Sequence, residues 1–207
     1  MYFKNLNFIY VLDKEIKISE KIEKVRKAFP EFPEISNPAN DVFIVHERNS
    51  ALGMSPSQIM CIFSGEEKIN ITDIVEKLNK LSKILNIKGQ IRLGLKVEGF
   101  DKVDISSRKL SLTAHKEEAE ILDAVAVGYR FIINNTFVHG DVKIEPYLKD
   151  ENQIFYDVLL QTIDTIPVSE AEKGFSDIFM LATEKAGKAA ASLFCLKEEP
   201  REDSKLN

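Results

Sequence analysis

The chain is poor in the residues from which catalytic and metal sites are most often built. Only two cysteines and three histidines occur among its 207 residues. Cys61 and Cys195 each lie within a short apolar stretch, which favours buried free thiols and fits a reducing cytoplasm. With so few nitrogen and sulfur ligands, a zinc site would have to be built from scattered carboxylates. We therefore predict that the protein holds no metal and no cofactor.

Catalytic and nucleotide-binding motifs are incomplete or missing. His46-Glu47 begins like the H-E-x-x-H motif of a metalloprotease, but Ser50 stands where the second histidine is required. Ser55 lies where a nucleophile elbow would place its serine, but the following residue, Pro56, has no N–H to offer an oxyanion hole. We predict a turn at Ser55-Pro56 instead. No glycine-rich phosphate-binding loop occurs in the sequence.

A basic charge balance and long apolar runs are also missing. The chain carries 28 basic and 33 acidic residues, a net charge of -5, so net charge does not support nucleic acid as a partner and leaves only a local basic patch open. No apolar run approaches the roughly 18 residues that a membrane helix needs. The N-terminal residues lack the basic and apolar regions of a signal peptide. We expect a soluble, cytoplasmic protein with no membrane contact.

Hydrophobic periodicity predicts an α+β protein made of two successive strand-and-helix halves. The first half has the order β-α-β-β-α-β, and a helix, an antiparallel meander and a long C-terminal helix follow. Residues 32–40 and 49–56 are predicted as a polar loop and a turn region. The predicted units are an N-terminal half over residues 1–100, a helical crossover over residues 101–128, a C-terminal sheet with its long helix over residues 129–196, and a charged tail over residues 197–207.

Capping residues predict where two of the helices begin. Thr72 precedes a clear amphipathic pattern and is the expected N-cap of the second helix. Ser169 and Glu172 have the spacing of a capping box, in which each side chain bonds a backbone N–H of the other residue. They are expected to open the long C-terminal helix.

The best catalytic candidates are His139 and Asp141. We interpret His139-Gly140-Asp141 as a turn that leads into a strand over residues 142–148. If the stretch is extended instead, both side chains share one face, where Asp141 can orient His139 as a general base. Arg130, on a neighbouring predicted strand, can receive a carboxylate or phosphate in bidentate fashion. This alternative is a hydrolase or nucleic-acid-processing enzyme that uses a cleft between the halves.

The C-terminal helix changes from large to small side chains along its length. Small residues allow another backbone to approach closely, so this face packs either on the protein's own sheet or on the same helix of a second copy. We carry the second alternative forward as a predicted homodimer. The predicted interface residues are Ala182, Ala186, Ala189, Ala190 and Leu193.

Five short stretches spread over nearly the whole chain carry a resemblance to a known group of proteins. They are Ala28-Phe29-Pro30, Ser55-Pro56-Ser57-Gln58-Ile59, Ile91-Arg92-Leu93-Gly94-Leu95-Lys96, Leu159-Leu160-Gln161-Thr162-Ile163-Asp164 and Ser192-Leu193-Phe194. In this order they resemble a sporadically distributed family of uncharacterised prokaryotic proteins. The resemblance implies an architecture and a prokaryotic cytoplasmic setting, and no activity.

One of these stretches departs from the family pattern. The family strand usually has the sequence Gly-Leu-Arg-Tyr-Ile-Asn, whereas this chain has Gly94-Leu95-Lys96-Val97-Glu98-Gly99. Any ligand contact that the family makes through that arginine and asparagine is therefore lost here.

Taken together, these features favour a non-catalytic interaction or assembly module that associates with itself and is linked to a mobile-element or defence system. The enzyme that uses His139 and Asp141 is one alternative. A protein that binds a small ligand without chemistry is the other.

Overall fold

A single antiparallel sheet is the frame of the protein in the computed structural model, which describes residues 1–65 and 69–194. Within these ranges the strands are β1 Tyr2–Leu12, β2 Glu34–Ala39, β3 Val42–His46, β4 Ser50–Ser55, β5 Gln58–Ser64, β6 Gln90–Lys102, β7 Tyr129–Asn134, β8 Val138–Pro146, β9 Gln153–Thr162 and β10 Ile166–Pro167. The α-helices in the same ranges are α1 Ile22–Ala28, α2 Ile71–Leu85, α3 Ser107–Ala114, α4 Lys116–Ile121, α5 Ala171–Met180 and α6 Ala186–Leu193.

Strands from the N-terminal and the C-terminal part of the chain lie in one sheet. The strand order runs β2-β3-β4-β5-β1-β6-β9-β8-β7, and the short β10 pairs with β6. Every neighbouring pair is antiparallel. An α+β protein with an antiparallel sheet and a C-terminal helix is therefore confirmed. The predicted halves share this sheet, and their expected boundary at residue 100 falls within β6.

Alternation along β1 decides which face of the sheet carries the core. Leu6, Phe8 and Tyr10 are fully buried, whereas Asn5 and Asn7 point to the opposite face. The same alternation continues across the other long strands, so one face of the sheet is apolar throughout. Burial of this face, at about 25 cal/mol for each Å² of apolar surface, is the main force that holds the strands together.

The helices pack on this apolar face. The Phe175 ring of α5 lies 5.2 Å from the Phe8 ring and 5.8 Å from the Tyr10 ring. The Tyr10 hydroxyl donates a hydrogen bond of 2.9 Å to Asn79 Oδ1 on α2, which satisfies the one polar atom of that side chain. Burial raises the pKa of Tyr10, so its phenol stays neutral and apolar packing around it is preserved.

Two strands lie in segments that local sequence had predicted as loop and turn. β2, from Glu34 to Ala39, contains Pro38 and is exposed along its whole length. It forms because β3 offers it an edge to pair with, and proline is tolerated on an edge strand. β4, from Ser50 to Ser55, pairs with β3 and β5 and is joined to β5 by a turn at Pro56. The predicted turn is thus confirmed, but the preceding residues form a strand.

Both predicted helix caps are wrong. Two of the residues concerned, Thr72 and Glu172, bind each other instead. The N-cap of α2 is Asn70, whose Oδ1 accepts a hydrogen bond of 3.1 Å from the Thr72 N–H. The C-terminal helix begins with a 3-10 turn and has Glu170 at the N-cap of α5, so no capping box forms. The Thr72 hydroxyl donates to Glu172 Oε1 at 2.6 Å and thereby links the first turns of α2 and α5.

The long C-terminal helix is continuous but irregular. A π-helical turn, Leu181–Lys185, separates α5 from α6. Such a turn inserts an extra residue into the helical repeat and rotates the side chains that follow it. Ala182 inside the turn and Ala186 after it both remain buried, so the turn keeps the small residues of α6 directed at the sheet.

Gly140, inside β8, gives a direct test of the sheet. Its φ is +151°, and a Cβ there would overlap the carbonyl oxygen of Leu159 on β9. We expect Gly140→Ala to lower the free energy of unfolding by about 2–4 kcal/mol, because strain and overlap add. Gly187, where an added Cβ would meet no atom within 4 Å, is the matched control. Gly187→Ala should raise the same free energy by about 0.5–1 kcal/mol, since alanine favours a helix.

Urea denaturation followed by far-UV circular dichroism measures both changes. Equal effects of the two substitutions would contradict this account of the close pairing between β8 and β9.

Candidate functional site

The face of the sheet turned away from the helices carries all three predicted catalytic candidates, Arg130, His139 and Asp141. We call it the open face. Its members alternate with the core residues on the central and C-terminal strands. They include Asn5, Asn7, Ile9, Lys96, Glu98, Arg130, Ile132, His139, Asp141, Lys143, Asp157, Leu159 and Gln161.

His139, Gly140 and Asp141 lie within β8, so their interpretation as a turn is wrong. The connection between β7 and β8 lies earlier, where Asn135 Oδ1 accepts hydrogen bonds from the next residues of the chain. As expected for an extended stretch, His139 and Asp141 share one face. Tertiary pairing with β7 and β9 on both sides overrides the turn signal of the glycine.

Asp141 is bound to Arg130 and not to His139. Asp141 Oδ2 accepts a hydrogen bond of 2.7 Å from Arg130 Nε and a second one from the same guanidinium. Among the hydrogen bonds of the described residues there is none between His139 and Asp141. His139 instead borders a small groove of about 190 Å³ that Gly94 also lines. The structure therefore brings the three candidates to one surface but does not give His139 an orienting carboxylate.

A network of ion pairs crosses the middle of the open face. Lys96 Nζ lies 3.1 Å from Glu98 and 3.6 Å from Asp157, and Lys143 Nζ lies 3.2 Å from Asp157. The hydrogen bond to Glu98 raises the pKa of Lys96, although partial burial opposes its charge. Each cation here is matched by a neighbouring carboxylate, so this part of the face offers little net charge to a polyanion.

The two edges of the sheet differ in how well they are protected. β2 has Pro38, the acidic Glu34 and a break in its pairing with β3. β7 has none of these features, and its single charged residue, Arg130, is already paired. Natural proteins use proline, charge and irregular pairing to prevent edge-to-edge association. Among the described residues, β7 therefore forms the unprotected edge.

Exposed apolar side chains are frequent on β7 and in the segment that precedes it along the chain. Ile121, Leu122 and Val125 are 81%, 75% and 71% exposed, and they lie in the segment that leads into β7. On β7 itself, Phe131 is 41% and Ile132 is 71% exposed. We call these five residues the edge patch. Our sequence interpretation missed it because the segment was assigned to a crossover, although its run of apolar residues was visible.

The alanine-rich part of the C-terminal helix packs inside the chain. Ala182, Ala186 and Ala190 are buried in the core, while Ala189 and Leu193 lie half-buried against it. Ala182, Ala186 and Ala190 are therefore not accessible to a second copy, whereas an interface through Ala189 and Leu193 stays a prediction. The homodimer itself stays a prediction.

A metal centre needs several ligating side chains that converge on one point. Within residues 1–65 and 69–194, no three histidine, cysteine, aspartate or glutamate side chains are placed to hold a metal ion together. Cys61 is a buried free thiol, and burial raises its pKa to about 12, so it is not a reactive thiolate. Cys195 lies outside the described residues.

Comparison with known proteins gives no identity. No family model matches the chain, and no curated protein matches it. The resemblance to a prokaryotic family stays a prediction. In the same described ranges, no helix is both long and apolar enough to cross a membrane.

Ala190 tests whether the small face of α6 belongs to the core. We expect Ala190→Glu to lower the free energy of unfolding by at least about 3 kcal/mol, because it buries a carboxylate without a partner. Ser192→Glu, on the exposed side of the same helix, is the control and should change stability by less than about 0.5 kcal/mol. Thermal unfolding measures both. A stable Ala190→Glu variant would show that this face is accessible after all.

Proposed function

We propose that the protein is a non-catalytic assembly module, and that its unprotected edge strand β7 pairs with β7 of a second copy. The observation that carries the proposal is the contrast between the two edges of one sheet. β2 is protected by proline, charge and irregular pairing, whereas β7 combines regular pairing, exposed apolar side chains and a neutralised charge.

An edge strand directs the N–H and C=O groups of alternate residues away from its single neighbour. On β7 these groups need water or another strand as partner. A second β7 in antiparallel orientation satisfies them and continues the sheet from one copy into the next. Such pairing is a common means of association between chains.

The sequence of β7 is compatible with its own copy. A two-fold axis perpendicular to the sheet at Ile132 places this residue opposite the same residue of the second copy. Phe131 then lies opposite Ile133, and Arg130 lies opposite Asn134. No two like charges face each other in this register. The bond from Arg130 to Asp141 within each copy further reduces repulsion.

The edge patch supplies apolar area that a pair of strands alone lacks. Stable interfaces bury more than about 1,000 Å² in total. We propose that the dimer also covers Ile121, Leu122 and Val125, which are exposed in the segment that precedes β7 in the sequence. A closed two-fold dimer buries this surface twice, once from each copy.

The enzyme alternative has less support, because the Asp141 carboxylate that would orient His139 is bound by Arg130 instead. The cytoplasmic setting and the link to a mobile-element or defence system belong to the proposal only through the family resemblance.

Sedimentation velocity over a dilution series tests the proposal. We expect a dimer that dissociates on dilution. Ile132→Lys should raise the dissociation constant at least about tenfold, because two lysines then face each other at the two-fold axis. Ile35→Lys, at a 41% exposed position on the opposite edge, is the matched control and should leave the dissociation constant unchanged.

Two outcomes would overturn the proposal. One is a wild-type protein that stays monomeric at every concentration. The other is an Ile132→Lys variant that keeps its fold by circular dichroism and still forms the dimer. Hydrogen exchange adds an independent check: the amides of β7, and not those of β2, should exchange more slowly as the protein concentration rises.

A further inference from the structure

A cleft of about 700 Å³ lies at one end of the open face, where β1, β6 and β9 meet the turn after β8. Its volume is within the range of about 300–1,000 Å³ that small-molecule sites occupy. The cleft uses no residue of the edge patch. Its walls include Tyr2, Lys4, Phe100, Lys102, Tyr147 and Gln153.

Aromatic rings form one wall of the cleft. Tyr2 lies opposite Phe100 in the pairing of β1 with β6, and their ring centroids are 6.5 Å apart. The Tyr147 ring meets Phe100 edge-on at 4.7 Å. Behind them, the Phe155 ring lies 5.3 Å from Phe100 and 6.2 Å from Tyr147. The half-buried rings are held by this packing, while Tyr2 is 45% exposed and free to receive a flat ligand.

Two lysines and an amide form the polar part of the cleft. Lys4 and Lys102 are exposed, and neither takes part in an ion pair with any described residue, in contrast to Lys96 and Lys143 on the same face. The side-chain amide of Gln153 makes no hydrogen bond to another described group, so it can both donate and accept. The cleft therefore has a net positive charge within an acidic protein.

One carboxylate, that of Asp101, also borders the cleft. Its Oδ2 accepts a hydrogen bond of 2.8 Å from the Tyr156 hydroxyl, and its Oδ1 lies 2.7 Å from the amino group of Met1. Burial, together with this carboxylate, raises the pKa of Tyr156, so the hydroxyl stays a donor. Both Asp101 oxygens thus bind other groups in the cleft wall. Lys4 and Lys102 are left as cations without a carboxylate partner among the described residues.

We infer that this cleft binds a nucleotide, with the base against Tyr2 and Phe100 and the phosphate between Lys4 and Lys102. Any nucleobase can stack on an aromatic side chain, because every base has a flat π-face. A base edge needs a group such as the Gln153 amide that donates and accepts hydrogen bonds. A phosphate needs cations that no carboxylate has neutralised. The cleft offers all three within one site, and its ligand is either a free nucleotide or one nucleotide of a single strand.

Isothermal titration calorimetry with the four nucleoside 5′-monophosphates, adenosine and a twelve-residue oligodeoxyadenylate tests the inference. We expect saturable binding of at least one monophosphate or of the oligonucleotide, and weaker binding of adenosine than of its monophosphate. Binding of monophosphates alone assigns the site to free nucleotides. Much tighter binding of the oligonucleotide assigns it to a single strand.

Substitutions separate the two parts of the site. Tyr2→Ala should weaken binding about five- to hundredfold, the range found when a stacking ring is removed, whereas Tyr2→Phe should bind like the wild type. Lys102→Glu should weaken binding of phosphate-bearing ligands at least about tenfold. Lys188→Glu makes the same charge change on the exposed side of α6 and is the matched control.

The inference is overturned if none of the monophosphates and no oligonucleotide binds. It is also overturned if Lys102→Glu and Lys188→Glu weaken binding equally, since that pattern indicates unspecific attraction. A folded Tyr2→Ala variant with wild-type affinity would equally exclude the aromatic wall as the binding surface. Circular dichroism of each variant establishes that it is folded.

Discussion

The antiparallel pairing of β1 with β6 is the constraint on which the rest of the structure depends. β1 comes from the beginning of the chain and β6 from its middle, and the two strands pair along almost their whole length. β1 also pairs with β5, and β6 also pairs with β9. Every other strand is therefore attached through this pair. Because its partners are far apart in sequence, the sheet requires long-range contacts before it is stable.

The same pair positions the helix layer. Phe8 and Tyr10 on β1 contact Phe175, and Leu93 on β6 lies under Gly174 of α5. A Cβ at Gly174 would come within 2.5 Å of the Leu93 side chain, so glycine allows the helix to approach the sheet. In the part of the chain that the structure describes, the helices cover one side of the sheet, and the second face and the β7 edge are exposed. The two proposed functions use different parts of this remaining surface.

Elements with strong local patterns were predictable from the sequence. β1 and α2 follow their hydrophobic periods closely, so the strand and the helix expected there are both present. β2 and β4 were missed because pairing with neighbours, and not local propensity, makes them strands. The caps were misassigned for a similar reason, since Thr72 and Glu172 bind each other across two helices.

For the candidate sites, the sequence predicted which side chains share a face but not which groups they contact. The sequence by itself determined that His139 and Asp141 share a face if extended, and that the small residues of the last helix permit a close approach. Only the tertiary structure decided that Asp141 binds Arg130, and that the alanines approach the protein's own sheet. The same holds for the cleft, because Tyr2, Phe100 and Gln153 become neighbours through strand register. Local patterns fix the direction of a side chain along its own element, whereas its partners depend on pairing between distant segments.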